Sequence, residues 1–227
     1  MPGMTSTRIR PVPSPVARRR RSRWVVGAVA ATALVGGLAA ATQVRHDSTS
    51  SVVPGVREVV VDIGAGPVTL RGGDGDAVGV RSTPHGLFTS SAAPRHELVD
   101  GVLRITSGCS GFALHCWTEE EVTVPAGVPV RVHTGVGDVT AVDLDVPLFE
   151  VGAGAGTVTA TFTGAPGEVR VDAGAAGNVE VVVPDGRYRV DADATVGPTE
   201  VQVDHDASAG RSIDASTGVG QVTVRSR

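Results

Sequence analysis

Apolar and polar residues alternate along this chain in one short pattern that returns six times. The copies are VDIGAGPVTL (Val61 to Leu70), VHTGVGDVTAV (Val132 to Val142), VGAGAGTVTAT (Val151 to Thr161), VDAGAAGNVEVV (Val171 to Val182), VDADATVGPTEVQV (Val190 to Val203) and IDASTGVGQVTV (Ile213 to Val224). Each runs from an apolar residue through a Gly/Ala-rich break into an apolar, polar, apolar trio. Successive side chains of a β-strand point to opposite faces, so each trio predicts a strand with one buried face. Val68, Val139, Val158, Val179, Val201 and Val222 are assigned to the inner face, followed two residues later by Leu70, Ala141, Ala160, Val181, Val203 and Val224. Thr69, Thr140, Thr159, Glu180, Gln202 and Thr223 point outward.

From Val139 to Val222 the copies return at steps of about 19 to 22 residues, a period typical of stacked repeats, in which each unit buries its apolar face on its neighbours. The expected fold is therefore all-β, a β-solenoid resembling a parallel β-helix, with successive coils laid one on the next and glycines of GVG, GAGAG and GAAG at the corners. The alternative is an antiparallel β-sandwich, which short strands with glycine turns also describe.

Upstream the pattern changes twice. Residues 1–23 hold seven arginines, four prolines and no acid, the composition of a disordered basic tail. Residues 24–44, from Trp24 to Val44, carry no charge and are long enough to cross a bilayer as a helix. Arginines before this run place the tail in the cytoplasm and the remainder outside, with Trp24 at the inner boundary. The lipid bilayer is thus an expected partner. Ala39-Ala40-Ala41 leaves open a cleaved signal peptide, although the apolar run is longer than a typical signal core. Residues 45–55 read as a polar linker, and 56–227 as an extracytoplasmic β-repeat domain.

All 24 acidic residues lie from Asp47 onward, so the domain is acidic and nucleic acid is not an expected partner. The chain has no lysine, which removes any P-loop or Schiff-base chemistry. Gly72 to Asp76 (GGDGD) is an ordinary turn followed by a strand candidate, AVGVRS. In HELVDGVLRIT, Asp100-Gly101 sits between alternating runs, the sequence of a hairpin closed by a type I′ turn. His96-Glu97 starts an HExxH-like run but lacks its second histidine, so no metal site is expected there.

Cys109 and Cys116 are the only cysteines, and in an exported chain they are expected to form a disulfide. Closing so short a loop contributes about 2 to 3 kcal/mol on the loop-entropy account. His115 with these two thiols falls short of a four-ligand zinc set. The same loop carries Phe112, Leu114 and Trp117, a candidate partner-binding loop in a chain with only seven aromatic residues. These side chains could instead cap the open end of the core.

The segment EVTVPAGVPVRVHTGVGDVTAVDLD (Glu121 to Asp145), with its Pro125-Ala126-Gly127 turn and the Gly-x-Val-x-Val copies after it, resembles the bacterial putative adhesin family of β-strand-repeat proteins. The resemblance spans about Val56 to Arg227 and implies a β-helical domain at the cell envelope with no catalytic or cofactor-binding residues; the cysteine loop is not part of it. The expected function is a single-pass, membrane-anchored envelope protein whose non-catalytic domain binds an envelope protein or surface ligand. One alternative is an accessory membrane protein in envelope-stress signalling, meeting a cytoplasmic partner through the arginine-rich tail. Another is a glycan-active β-helix enzyme using Asp143 with Asp145, or Asp191 with Asp193, as paired carboxylates. Solvated strand ends explain those aspartates equally well, as a solvated turn explains His205.

Overall fold

The computed structural model describes residues 48–87, 94–108 and 114–227, which are all-β. The tail and the predicted membrane helix at 24–44 lie outside them. Among the described residues no helix is long and apolar enough to cross a membrane.

The described residues form eighteen strands in two nine-stranded sheets that face each other across one core. The first sheet contains β1 (Thr49–Pro54), β3 (Val68–Gly73), β4 (Ala77–Leu87), β7 (Leu114–Pro125), β9 (Val139–Leu144), β11 (Val158–Phe162), β13 (Val179–Val183), β15 (Thr199–Gln202) and β18 (Val222–Ser226). The second contains β2 (Glu58–Ala65), β5 (Arg95–Val99), β6 (Val102–Ser107), β8 (Val130–Val136), β10 (Leu148–Ala155), β12 (Glu168–Asp172), β14 (Arg187–Val196), β16 (Asp204–His205) and β17 (Ser212–Val219). Both sheets are mixed. Antiparallel pairing is confined to β1–β4, β4–β7 and β5–β6, and every other ladder is parallel. A two-layer, sandwich-like arrangement therefore holds, but its strands do not run antiparallel as in the predicted sandwich.

The repeat explains the parallel ladders. In each copy the strand before the glycine break enters the second sheet and the trio after it enters the first. Equivalent residues then lie side by side, as in Leu70–Ala141–Ala160–Val181–Val224 across one sheet and Val61–Val132–Val151–Val171–Ala215 across the other. All ten are buried. Phe149 and Phe162 meet edge to face between the sheets at 5.4 Å.

Two features differ from the sequence expectation. First, the strand pairs do not lie in chain order. Both sheets give the same spatial order: β6/β7, β2/β3, β8/β9, β10/β11, β12/β13, β17/β18, β14/β15. The last copy in sequence is inserted beneath the fifth, which is displaced to the end. Second, the fifth copy is shifted by two residues. Thr199, not Val201, pairs with Val222, and Val201 pairs with Val224. The corner glycine sets this register. The second residue after it is valine in GPV, GDV, GTV, GNV and GQV, and threonine only in Gly197-Pro198-Thr199. With Thr199 at that position and the small Ala192 and Ala194 on the inner side of β14, this copy has few large apolar side chains buried near its corner, although Tyr188 at the start of β14 is fully buried. It lies at the end of the stack, where Val201 is left 42% exposed.

Strand β1 is a further correction, since 49–54 had the composition of a linker. Thr and Val suit a pleated strand, and this segment pairs along its length with β4. The predicted hairpin is present: Asp100 and Gly101 both have positive φ (51° and 77°), as a type I′ turn requires, and join β5 to β6.

The corners pack tightly. Gly156 has φ 149°, and a Cβ placed there would lie 2.1 Å from the Gly137 carbonyl oxygen. Gly156→Ala is therefore expected to lower the urea midpoint by the equivalent of about 2 to 4 kcal/mol, because backbone rather than a flexible side chain must move. Gly127→Ala meets nothing within 4 Å. It should cost only the strain of its positive φ, about 1 kcal/mol, when the two are compared by denaturant titration.

Candidate functional site

The corner row carries an apolar surface. Five of the corner glycines donate their N–H to the carbonyl of the residue just before the corner of the adjoining pair: Gly66 to Val136, Gly137 to Ala155, Gly156 to Ala176, Gly177 to Val219 and Gly220 to Val196, all at 2.9 to 3.0 Å. The acceptors form a ridge down one side of the domain, and its valines Val136, Val219 and Val196 are 62%, 53% and 60% exposed. Because the strand has left the core at these positions, the side chains face water.

Trp117 closes one end of this row. It lies on β7 out of phase with the buried Thr118, Glu120, Val122 and Val124, so it points away from the core. Its indole stacks on the His85 ring at 3.8 Å and 9°, across the β4–β7 ladder in which the two residues are partners. Beside it a shallow groove of ≈ 530 Å³ runs over Pro67, Val136, Gly137, Asp138, Ala155 and Gly156. Of the predicted loop residues, Trp117 borders this groove rather than capping the core. Leu114 opens β7, and Phe112 and Cys109 lie outside the described residues.

The paired carboxylates are exposed. Asp143 has positive φ (56°) and holds Arg227 at 2.5 Å. With Asp145 it borders a cavity of ≈ 280 Å³ open to solvent. Asp191 and Asp193 stand on the outer face of β14, beside a groove of ≈ 540 Å³ that also touches His133, Gly152, Asp172 and Asp214. Among the described residues no group of three or more His, Cys, Asp or Glu side chains is placed to hold a metal ion.

Sequence reasoning missed a buried polar cluster at the β1/β5 end of the domain. The Glu120 side chain is fully buried and accepts a 2.5 Å hydrogen bond from the Ser82 hydroxyl. Ser82 Oγ lies 3.0 Å from His96 Nε2, and Ser51 Oγ lies 3.1 Å from His96 Nδ1. Since Ser82 gives its proton to Glu120, it accepts from His96 Nε2–H, which leaves Nδ1 to accept from Ser51. A directed chain of hydrogen bonds thus links β1, β5, β4 and β7 and ties the two sheets together. Glu120 Oε1 and the Ser107 hydroxyl facing the carboxyl have no completed hydrogen bond. Burial pushes the Glu120 carboxyl up to about 7, partly offset by the Ser82 hydroxyl, and burial lowers His96. The signal was present in Thr118-Glu119-Glu120-Glu121-Val122, where strand phase puts the middle glutamate on the side of Val122.

No known protein-family profile matches the sequence, and no curated protein does. The solved structures that the fold resembles are bacterial putative adhesins. A putative cell adhesion protein from Clostridium sporogenes superposes with a TM-score of 0.54 at 13% identity, covering 80% of this chain and 99% of its own. The chain shares that protein's fold. A putative adhesin from Bacteroides fragilis (TM-score 0.26, 10% identity, 78% of this chain and 97% of its own) and one from Parabacteroides merdae (0.28, 7%, 78% and 95%) also match, far less closely.

Proposed function

We propose that this chain is a non-catalytic, adhesin-like envelope protein, anchored through residues 24–44, whose β-domain stands outside the membrane and grips an apolar segment of an envelope partner protein. The observation that carries the reading is the corner groove. A stacked indole, a proline and an exposed valine adjoin there, with Asp138 the one charged residue in the lining, and such a largely apolar patch stabilises a partner by burial. The shared fold with a protein described as a putative cell adhesion protein supports the same reading. So does the exposure of both aspartate pairs, which leaves an acid/base pair no enclosed pocket. We read the strand pairs as turns of a β-solenoid, a shape suited to displaying one continuous ridge. The Cys109–Cys116 disulfide belongs to this proposal, as the brace that sets the start of β7 beneath Trp117.

A photo-crosslinking residue at Val136 in living cells is expected to capture an envelope protein, and Trp117→Ala to reduce that capture about tenfold or more, the loss of an aromatic anchor. The same label at Arg71, on the outer face of β3, serves as the control. Equal capture at both positions, or capture unaffected by Trp117→Ala, would count against the groove. Protease added to intact cells should degrade the β-domain while sparing residues 1–23, and protection of the domain would remove the topology.

A further inference from the structure

The end of the stack at β14 is open. Two-residue β16 covers β14 only at Arg187 and Tyr188, and among the described residues no strand pairs beyond it from Val190 to Val196. The phase of the ladder settles which backbone groups are left over. Arg189 N–H donates to the Arg211 carbonyl at 2.9 Å, so the peptide groups of Arg189, Asp191 and Asp193 serve the parallel ladder to β17. Those of Val190, Ala192 and Ala194 then point to the open side. The Val190 N–H is taken by His205 Nδ1 at 3.2 Å, which leaves Ala192 and Ala194 with free donors and acceptors.

The side chains around this edge are equally one-sided. Val190, Ala192 and Ala194 face inward and are only partly buried, leaving the end of the core accessible to an added apolar residue. Outward stand Asp191 and Asp193, which follow the exposed Arg189 on the same face, with Asp214 as the register partner of Asp191 on the adjoining strand. Arg170 approaches Asp214 at 4.0 Å, and among the described residues no ion pair engages Asp191 or Asp193. The neighbouring acids Asp204 and Asp206 are offset chiefly by Arg187, which pairs with Asp206. Two copies docked end to end would bring these carboxylates together, so charge argues against a second copy and for a basic occupant.

We propose that the 190–196 edge of β14 binds an extended cationic segment of a partner protein by strand addition, with apolar residues turned to the core and arginines or lysines turned to Asp191 and Asp193. The added strand takes the hydrogen bonds offered by Ala192 and Ala194, and its alternation matches that of β14. This surface is separate from the Trp117 groove, and the two readings stand or fall independently.

The test uses the full chain and two synthetic peptides of alternating valine and charged residues, one with arginine and one with glutamate. The arginine peptide is expected to bind and to slow hydrogen exchange of the 190–196 amides, and the glutamate peptide to do neither. Asp191→Asn and Asp193→Asn should each weaken binding about two- to fivefold, the range for a cross-strand charge pair. Ala192→Pro removes an outward donor that the fold does not use, so it should abolish the added protection while leaving the urea midpoint nearly unchanged. Equal binding of both peptides, or arginine-peptide binding without protection at 190–196, overturns the proposal. So does a free chain that sediments as a dimer with 190–196 already protected, because the edge would then belong to a second copy.

Discussion

Val224→Asp is expected to abolish cooperative unfolding, whereas Val201→Asp leaves a folded domain with a urea midpoint only slightly lowered. The two valines are direct partners in the β18–β15 ladder and fill the same place in their copies. Their surroundings differ because the last copy is inserted. Val224 is completely buried between β13 and β15, and Val201 on the edge strand is 42% exposed. Val224→Asp loses about 1.5 to 3 kcal/mol of apolar burial and adds an unpaired charge in the core, costing several kcal/mol more. Together these approach the whole stability of an ordinary domain. At Val201 water still reaches the carboxylate, and about 1 kcal/mol or less is at stake. Had the copies stacked in chain order, Val224 would sit at the exposed end and Val201 inside, and the two results would exchange. Circular dichroism with urea titration of both variants therefore tests the insertion itself. A folded Val224→Asp protein beside an unfolded Val201→Asp protein would sink it.

The difference between chain order and spatial order also marks what the residues reveal before folding. Alternation at Val139, Val158, Val179 and Val222 identifies strands and their inner face, because burial on one side imposes a period of two. Gly137 and Gly156 identify corners, because neighbouring backbone leaves no room for a Cβ. Neither signal tells one copy from another, since any copy fits on any other with the same parallel register. The copies differ only in small ways, such as Thr199 against Val222, and the repeat pattern itself carries no information on their order. Strand β1 was concealed for another reason. Its serines read as solvated until a partner strand and His96 are present to receive them. The Trp117 groove was half legible: the indole was identified, but Pro67 far upstream and Val136 to Gly156 downstream meet it only through the corner stack.

Between pH 5 and 8 the wild-type domain should lose stability as pH rises, and Glu120→Gln should flatten that decline. Glu120 titrates near its ordinary value of 4.5 in the unfolded chain and at about 7 in the fold. The folded state therefore binds the proton more tightly. The contribution is fully present below 4.5 and is lost as pH climbs through 7, an amount on the order of 3 kcal/mol. His96 acts in the opposite sense. Its folded value is depressed below 6.5, so its contribution is present above 6.5 and lost as pH falls through the lowered value. Mild acid thus keeps the Glu120 carboxyl protonated, while burial of His96 extends the neutral imidazole's range downward from 6.5. The amide introduced by Glu120→Gln keeps an oxygen to accept from Ser82 and cannot ionise, so the variant retains the tie between β4 and β7 without the penalty at high pH. Urea midpoints at pH 5.5 and 8 should differ clearly for the wild type and little for the variant, and identical slopes would mean that Glu120 does not control the pH response. The loss should begin locally. Hydrogen exchange in β1 and β5, whose Ser51 and His96 complete the chain to Glu120, should rise at pH 8 before that of β11 and β13, whose buried side chains include no ionisable group.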